Sequence, residues 1–277
     1  MINDPSFLFI VPIFLFLVGA AMGSFAGATV WRIKKGKDIV NDRSECEHCH
    51  HKLAARDLFP IFSWLFLRGK CRYCHKPIGI EPLLYELGVG LYFALSYIFW
   101  PFGFEFWYQI ADFVLWLVYG IGLAILFGYD LKWYLLPDKV VYPLIALGAV
   151  DTILRIYATP GGVTLGVAVA DIFLSLAVVG GFYYVLHAVS GGRWVGFGDV
   201  KLGVFIGLAL GWQLAVVCLF AANLIGTILV LPGLLSGKLN RRARIPFGPL
   251  LIAGFVIAGL WGQPLIDWYM LLLTPAY

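Results

Sequence analysis

Two aspartates stand where long apolar runs meet polar sequence: Asp130 in Gly128-Tyr-Asp-Leu-Lys-Trp-Tyr-Leu-Leu-Pro-Asp138 and Asp199 in Gly196-Phe-Gly-Asp-Val-Lys201. A carboxylate at the edge of an apolar segment is expensive to keep and is a functional candidate by default. Two of them brought together cannot both ionise easily, so one keeps its proton while the other acts as base. Such a pair can activate a water for attack on a peptide carbonyl and protonate the departing amine. Gly196 and Gly198 remove side chains beside Asp199, which would let a substrate backbone approach. The bland alternative is that Asp199 caps a helix, and a cap is the favoured reading of Asp138, just after Pro137. Asp138 and Lys201 are taken as supporting positions. Asp112, Asp151, Asp171 and Asp267 have no glycine context and are read as structural, hydrogen-bonded between helices.

A second cluster has different chemistry. Cys46-Glu-His-Cys49 and Cys71-Arg-Tyr-Cys74 are two CxxC pairs, and together they offer four thiolates, the tetrahedral set that structural zinc prefers. The set is closed, so it implies a staple rather than zinc catalysis. His48, His50, His51 and His75 crowd the same turns and are read as solvated or supporting the ligands. Cys218 lies in an apolar stretch and reads as a small buried hydrophobe.

The elements that must position these residues are membrane-spanning helices. Of the 277 residues, 61% are hydrophobic and 13% charged, which excludes an ordinary soluble domain. Apolar runs at about 7–30, 83–101, 107–129, 139–156, 164–189, 200–211, 213–235 and 248–274 predict about eight spans. The first is too long for a signal-peptide core and reads as a retained span. The stretch from Gly198 to Leu235 exceeds one crossing, and Gly211-Trp-Gln213 is its natural break. The expected division is a first helix over 1–31, a small cytoplasmic zinc-binding loop over 32–82 and an all-α membrane core over 83–277. With eight spans and that loop inside, nineteen of the twenty Lys and Arg residues fall on the cytoplasmic side and only Arg155 outside. Both termini are then outside. The cations mark membrane orientation rather than nucleic-acid binding, and Arg241, Arg242 and Arg244 read as anchors to anionic lipid.

In order along the chain, Gly23-Ser-Phe25 with Arg32, the two CxxC pairs, Glu86, Asp130 with Leu136-Pro-Asp138, Gly196-Phe-Gly-Asp-Val-Lys201 and Ile245-Pro-Phe-Gly-Pro249 resemble the bacterial type 4 prepilin peptidases, which are GxGD-type intramembrane aspartic proteases. The resemblance covers almost the whole chain. It implies that Asp130 and Asp199 are the catalytic pair, with Asp138 supporting. It also implies a multi-pass enzyme of the bacterial cytoplasmic membrane that cuts the basic leader of prepilins and pseudopilins at a Gly-Phe junction. An acidic pocket including Glu86 would accept that leader. Many such proteins also methylate the new N-terminus with S-adenosylmethionine. Members of the bifunctional kind show Gly-Ser-Phe-x-Asn-Val and Arg-x-Pro; here Gly27 stands in the Asn position, Ala28 follows and Lys34 replaces the Pro. That departure bears on methylation and not on proteolysis.

Two other classes can be weighed. A transporter would place its charges at mid-membrane in repeated halves, and no repeat is visible. A zinc-loop scaffold would tolerate loss of Asp130 and Asp199. Gly233-Leu-Leu-Ser-Gly237-Lys238 is one residue short of a phosphate loop and lacks its Ser or Thr. Nothing in the sequence speaks to oligomeric state.

Overall fold

The computed structural model describes residues 5–159, 162–237 and 245–273. Nine α-helices follow one another among them: α1 (Pro5–Lys35), the short α2 (Phe62–Phe66), α3 (Glu81–Ile98), α4 (Trp107–Trp133), α5 (Asp138–Ala158), α6 (Leu165–Leu176), α7 (Phe182–Ser190), α8 (Phe197–Leu235) and α9 (Gly248–Leu273). A π-turn over Ala177–Gly181 joins α6 to α7 without a break in direction of the chain. Among the described residues, six stretches are long and apolar enough to cross a membrane: α1, α4, α5, α6 with α7, α8 and α9. The residues read as lipid anchors, Arg241, Arg242 and Arg244, lie outside the described residues.

The helices fall into two compact units, Met1–Trp100 with Trp116–Gly128, and Pro101–Leu115 with Tyr129–Tyr277. In the first unit, α1 and α3 meet along a seam of small residues. Gly19, Gly23 and Gly27 recur every fourth residue, and β-carbons at the first two would fall 2.7 and 2.3 Å from the Val89 and Tyr85 carbonyls. With little hydrophobic drive between helices in lipid, such close backbone approach is what holds them together. The Tyr92 hydroxyl donates to the Trp116 carbonyl at 2.8 Å, and the Trp116 indole N–H donates to Ser96 at 2.8 Å.

In the second unit, α8 is the central element, packing on α5, α6 and α9. Its 39 residues would extend about 58 Å, twice the hydrocarbon thickness of about 30 Å. The helix is not continuous: Gly211 has φ 75° and ψ 163°, a backbone conformation essentially reserved for glycine. The expected break at Gly211-Trp-Gln213 is therefore present, at its first residue. Breaking a helix frees carbonyls in the last turn before the break, and α5 satisfies them. Thr152 Oγ1 donates to the Leu208 carbonyl at 2.8 Å, and the Arg155 guanidinium donates to both Leu208 and Ala209. Asp151 holds that guanidinium from the preceding turn at 3.6 Å, and Asp112 of α4 bonds to Asp151.

The one cation that charge counting left on the outer side is thus committed to a helix break. Asp112 and Asp151 form the kind of interhelical contact expected of them. Asp267 does not: its carboxylate accepts from Gln263 of the same helix. Arg155→Leu is expected to lower stability by about 3 kcal/mol, because it strips the buried Asp151 carboxylate of its cation and the Ala209 carbonyl of its donor, leaving Leu208 with Thr152 alone. Unfolding in mixed micelles measures this.

Candidate active site and metal centre

Asp130 lies in the last turn of α4, which Tyr134 ends in a left-handed conformation with its N–H on the Asp130 carbonyl at 2.9 Å. The short link Leu135-Leu-Pro137 then leads directly into α5. Asp199 is the third residue of α8, whose N-cap is Gly196. It is not the cap itself. Its carboxylate reaches back and accepts the Gly196 N–H at 3.2 Å, the acidic half of a capping pair. The loop before it is tied down by His187, whose ring bonds the Val195 carbonyl at 2.9 Å, and by Ser190, which accepts the Trp194 N–H at 3.2 Å.

Asp130 is buried, and its Oδ2 accepts the backbone N–H of Gly248 at 3.0 Å. Gly248 is the first residue of α9, where free N–H groups and the helix dipole favour an anion. A β-carbon at Gly248 would fall 2.8 Å from that same oxygen. The Leu136 side chain fills the gap between Gly248 and Gly198, where β-carbons would meet it at 3.3 and 3.2 Å. Asp130, Leu136, Gly198 and Gly248 therefore form one packed cluster, with Asp199 next to Gly198 in the chain. The space freed at Gly198 is taken by Leu136 rather than left for a substrate. Only Gly196 faces open space, its nearest neighbour being Asp199 itself at 3.5 Å.

Asp138 is the first residue of α5, with Pro137 in the cap position. Its carboxylate is paired with Lys201 of α8, whose ammonium also lies 5.3 Å from the Tyr142 ring and 5.6 Å from the Phe197 ring. The pair fastens the starts of α5 and α8 to one another, two residues beyond Asp199. Several neighbours gave little warning in the sequence. Tyr183 of α7 is buried, receives the Asn223 amide at 3.5 Å, and meets the Phe247 ring edge-on at 5.2 Å. Asn223 was findable as an amide in an apolar helix. The Gly248 N–H was not, having no side chain to announce it.

Glu86 is in the other unit. Its carboxylate accepts the Ile61 N–H at 2.6 Å and a hydrogen bond from Ser24, while a β-carbon at Gly23 would fall 2.8 Å from the Glu86 Cα. The Gly23-Ser-Phe25 motif thus seats Glu86, and Glu86 holds the insert's backbone rather than presenting a free acid. Arg32, also buried, donates to the Ile39 carbonyl at 2.8 Å and closes the start of the insert. At the departure position, a β-carbon on Gly27 would stand 3.1 Å from the Tyr85 ring.

The insert is built from two like turns. In each, the first Cys accepts at its carbonyl the N–H of a His in left-handed conformation, His50 on Cys46 and His75 on Cys71, both at 2.9 Å. The sulfurs of Cys46, Cys49, Cys71 and Cys74 lie within 4.8 Å of one another, with Cys46 and Cys74 at 3.8 Å. A tetrahedron with about 2.3 Å metal–sulfur bonds has edges of about 3.8 Å. Desolvation opposes charge on Cys46, yet the Cys49 and His48 N–H groups and neighbouring thiols bring it down to about 7. Although the Lys76 N–H pulls Cys74 the other way, desolvation and the three surrounding sulfurs push it up to about 11. Four thiolates this close would repel one another, and a divalent cation among them offsets that repulsion. No histidine joins the set among the described residues; His51 stacks on Tyr73 at 3.7 Å. Asp57 braces the two turns. Desolvation opposes its charge, but Arg72 at 2.6 Å, the Ala54 N–H at 3.1 Å and the Tyr73 hydroxyl at 3.0 Å hold its carboxyl below the usual range.

Residues 17–100 match the family described as "Bacterial Peptidase A24 N-terminal domain", and residues 117–231 the "Type IV leader peptidase family". A "prepilin leader peptidase/N-methyltransferase" of Aeromonas hydrophila is 34% identical over 84% of this chain and 76% of its own. One of Bacillus subtilis (strain 168) is 30% identical over 92% and 96%, and one of Legionella pneumophila 29% identical over 98% and 97%. No solved structure matches significantly.

Proposed function

Since this chain belongs to the type IV leader peptidase family, we propose that it cleaves the basic leader of type 4 prepilins or pseudopilins, with Asp130 and Asp199 as one catalytic pair. The observation that carries the reading is the Gly248 N–H on Asp130, which aims one carboxylate while Gly196 aims the other. Asp130 serves as base. A water held between the two carboxyls gives it a proton and attacks the carbonyl carbon of the Gly-Phe junction, while Asp199 gives its proton to the carbonyl oxygen. The tetrahedral species then returns a hydroxyl proton to Asp199 as the C–N bond breaks, and the amine leaves with the proton that Asp130 took, so both carboxyls end as they began. No covalent enzyme intermediate is needed.

The bilayer assignment extends the six helices to eight spans, by counting α3 and both halves of α8. The insert and the active site then face the cytoplasm and both termini lie outside. The division into a first helix (1–31), an insert (32–82) and a peptidase core (83–277) follows the same reading.

The four cysteines would hold a structural zinc, which on binding supplies a tetrahedral anchor for an insert too small to have much core of its own. Cys71→Ser is expected to lose the metal and open residues 37–80 to protease while leaving the helices intact. Metal content and limited proteolysis read this out.

N-methylation is the second activity in the relatives' names. Gly27 offers a methyl donor no polar partner, and the Tyr85 ring takes the space beside it. S-adenosylmethionine, the donor that this second activity implies, would supply the methyl group. A prepilin with a Gly-Phe junction, embedded with the enzyme and followed by intact mass, tests both activities. Cleavage is expected at that junction, and a further methyl mass on the product, with the donor supplied, reports transfer. Intact prepilin throughout would overturn the peptidase reading.

A further inference from the structure

The insert carries an apolar run between two cations, Arg56-Asp-Leu-Phe-Pro-Ile-Phe-Ser-Trp-Leu-Phe-Leu-Arg68. It has two faces. Trp64 turns inward, donating its indole N–H to the Gly79 carbonyl at 2.7 Å and packing on Gly69. Phe59, Phe62, Leu65 and Phe66 turn outward, 58, 45, 54 and 83% exposed. Four large apolar side chains on one side of so small a module are a contact surface, and its depth identifies the contact.

At the tip of the run, the Ile61 N–H is fixed to Glu86, and Glu86 lies level with Gly23 of α1. Gly23 is nine residues before Arg32, the first cation of α1, or about 13 Å along the helix axis. The Glu86 side chain points back toward the start of α3, which leaves the Ile61 amide on the order of 8 Å to the membrane side of Arg32. An amphipathic segment at a bilayer surface lies about 5–10 Å into the boundary between headgroups and acyl chains.

The backbone at this point is bent sharply. Ile61 has φ 64° and ψ −53°, and the Phe62 N–H bonds the Pro60 carbonyl at 2.6 Å. This is the rare, strained γ-turn, here on a β-branched residue. Such strain persists where the surroundings fix it. It turns Phe59 and Phe62 together, ring centroids 5.6 Å apart, with the exposed Arg56 and Arg68 on either flank, where anionic headgroups would meet them.

We propose that Leu58–Leu67 is a membrane-dipping segment. It seats the metal-bound insert on the cytoplasmic leaflet, with Phe59, Phe62, Leu65 and Phe66 among the acyl chains and Arg56 and Arg68 on anionic headgroups. The insert is then held at both ends by helices and in the middle by lipid.

The full-length protein in phosphatidylethanolamine/phosphatidylglycerol nanodiscs, with a diazirine on the upper acyl chain, tests this. After photolysis, peptide mapping is expected to find acyl adducts on residues 57–68 at the level of Phe9–Leu17 of α1, and well above residues 47–52. Phe66→Glu, at a position with little internal packing, is expected to lower that labelling about tenfold or more, the loss that follows from one aromatic ring leaving the bilayer. Phe66→Leu should keep it. Labelling of 57–68 no higher than that of 47–52, with α1 labelled normally, would overturn the proposal. So would labelling by a photoprobe on the apolar segment of a prepilin with none from lipid, which would make the surface a substrate site.

Discussion

Asp130→Asn and Asp199→Asn are each expected to lower kcat for prepilin cleavage by about 10³-fold or more, with helix content and thermal unfolding close to wild type. The magnitude is that of removing a positioned acid or base. An amide in place of Asp130 cannot take a proton from water, and one in place of Asp199 cannot deliver a proton to the carbonyl oxygen. The fold should survive because each amide can keep the local hydrogen bond: the side-chain oxygen of Asn at 130 can still accept from Gly248, and that at 199 from Gly196. Cleavage kinetics beside circular dichroism of the same preparations check both halves. By contrast, Asp138→Asn should cost far less, because Asp138 pairs with Lys201 and not with the reacting carboxyls.

Gly248→Ala carries the second large effect. The added methyl would fall 2.8 Å from the Asp130 carboxylate and 3.3 Å from Leu136, so the carboxylate, the start of α9 or both must shift. A displacement of about 1 Å at a reacting group can cost about 10²-fold in rate. The expected result is a kcat lower by about that factor with KM little changed, since the added methyl meets only Asp130 and Leu136. Gly254→Ala, deeper in the same helix and against the Cys218 carbonyl, disturbs packing without touching Asp130. It should lower stability while leaving the kcat of the folded fraction near wild type. Equal losses of kcat in the two variants would remove Gly248 from the mechanism.

Much of this was legible in the sequence because it is local. Two CxxC pairs gather their sulfurs through their own turns, a glycine between two apolar stretches breaks a helix, and Gly-Phe-Gly-Asp opens one. What escaped was carried by groups that have no letter of their own or that meet across long distances. The donor to Asp130 is a backbone N–H 118 residues away. Glu86 and Asp138 read as acids available to a substrate or a cap, yet one is bound by the Ile61 amide and the other by a lysine 63 residues on. Arg155 read as the exception to a charge rule, whereas a kink in another helix employs it.

The central claim is that Asp130 and Asp199 work as one unit on a prepilin leader. The most direct test is a cleavage time course, followed by intact mass, of one membrane-embedded prepilin with wild type, Asp130→Asn, Asp199→Asn and the double variant. The account predicts that wild type cuts at the Gly-Phe junction and that the double variant is no slower than the worse of the two singles, because either loss already disables the pair. Losses that multiply, or a single variant that cuts at the wild-type rate, would contradict it.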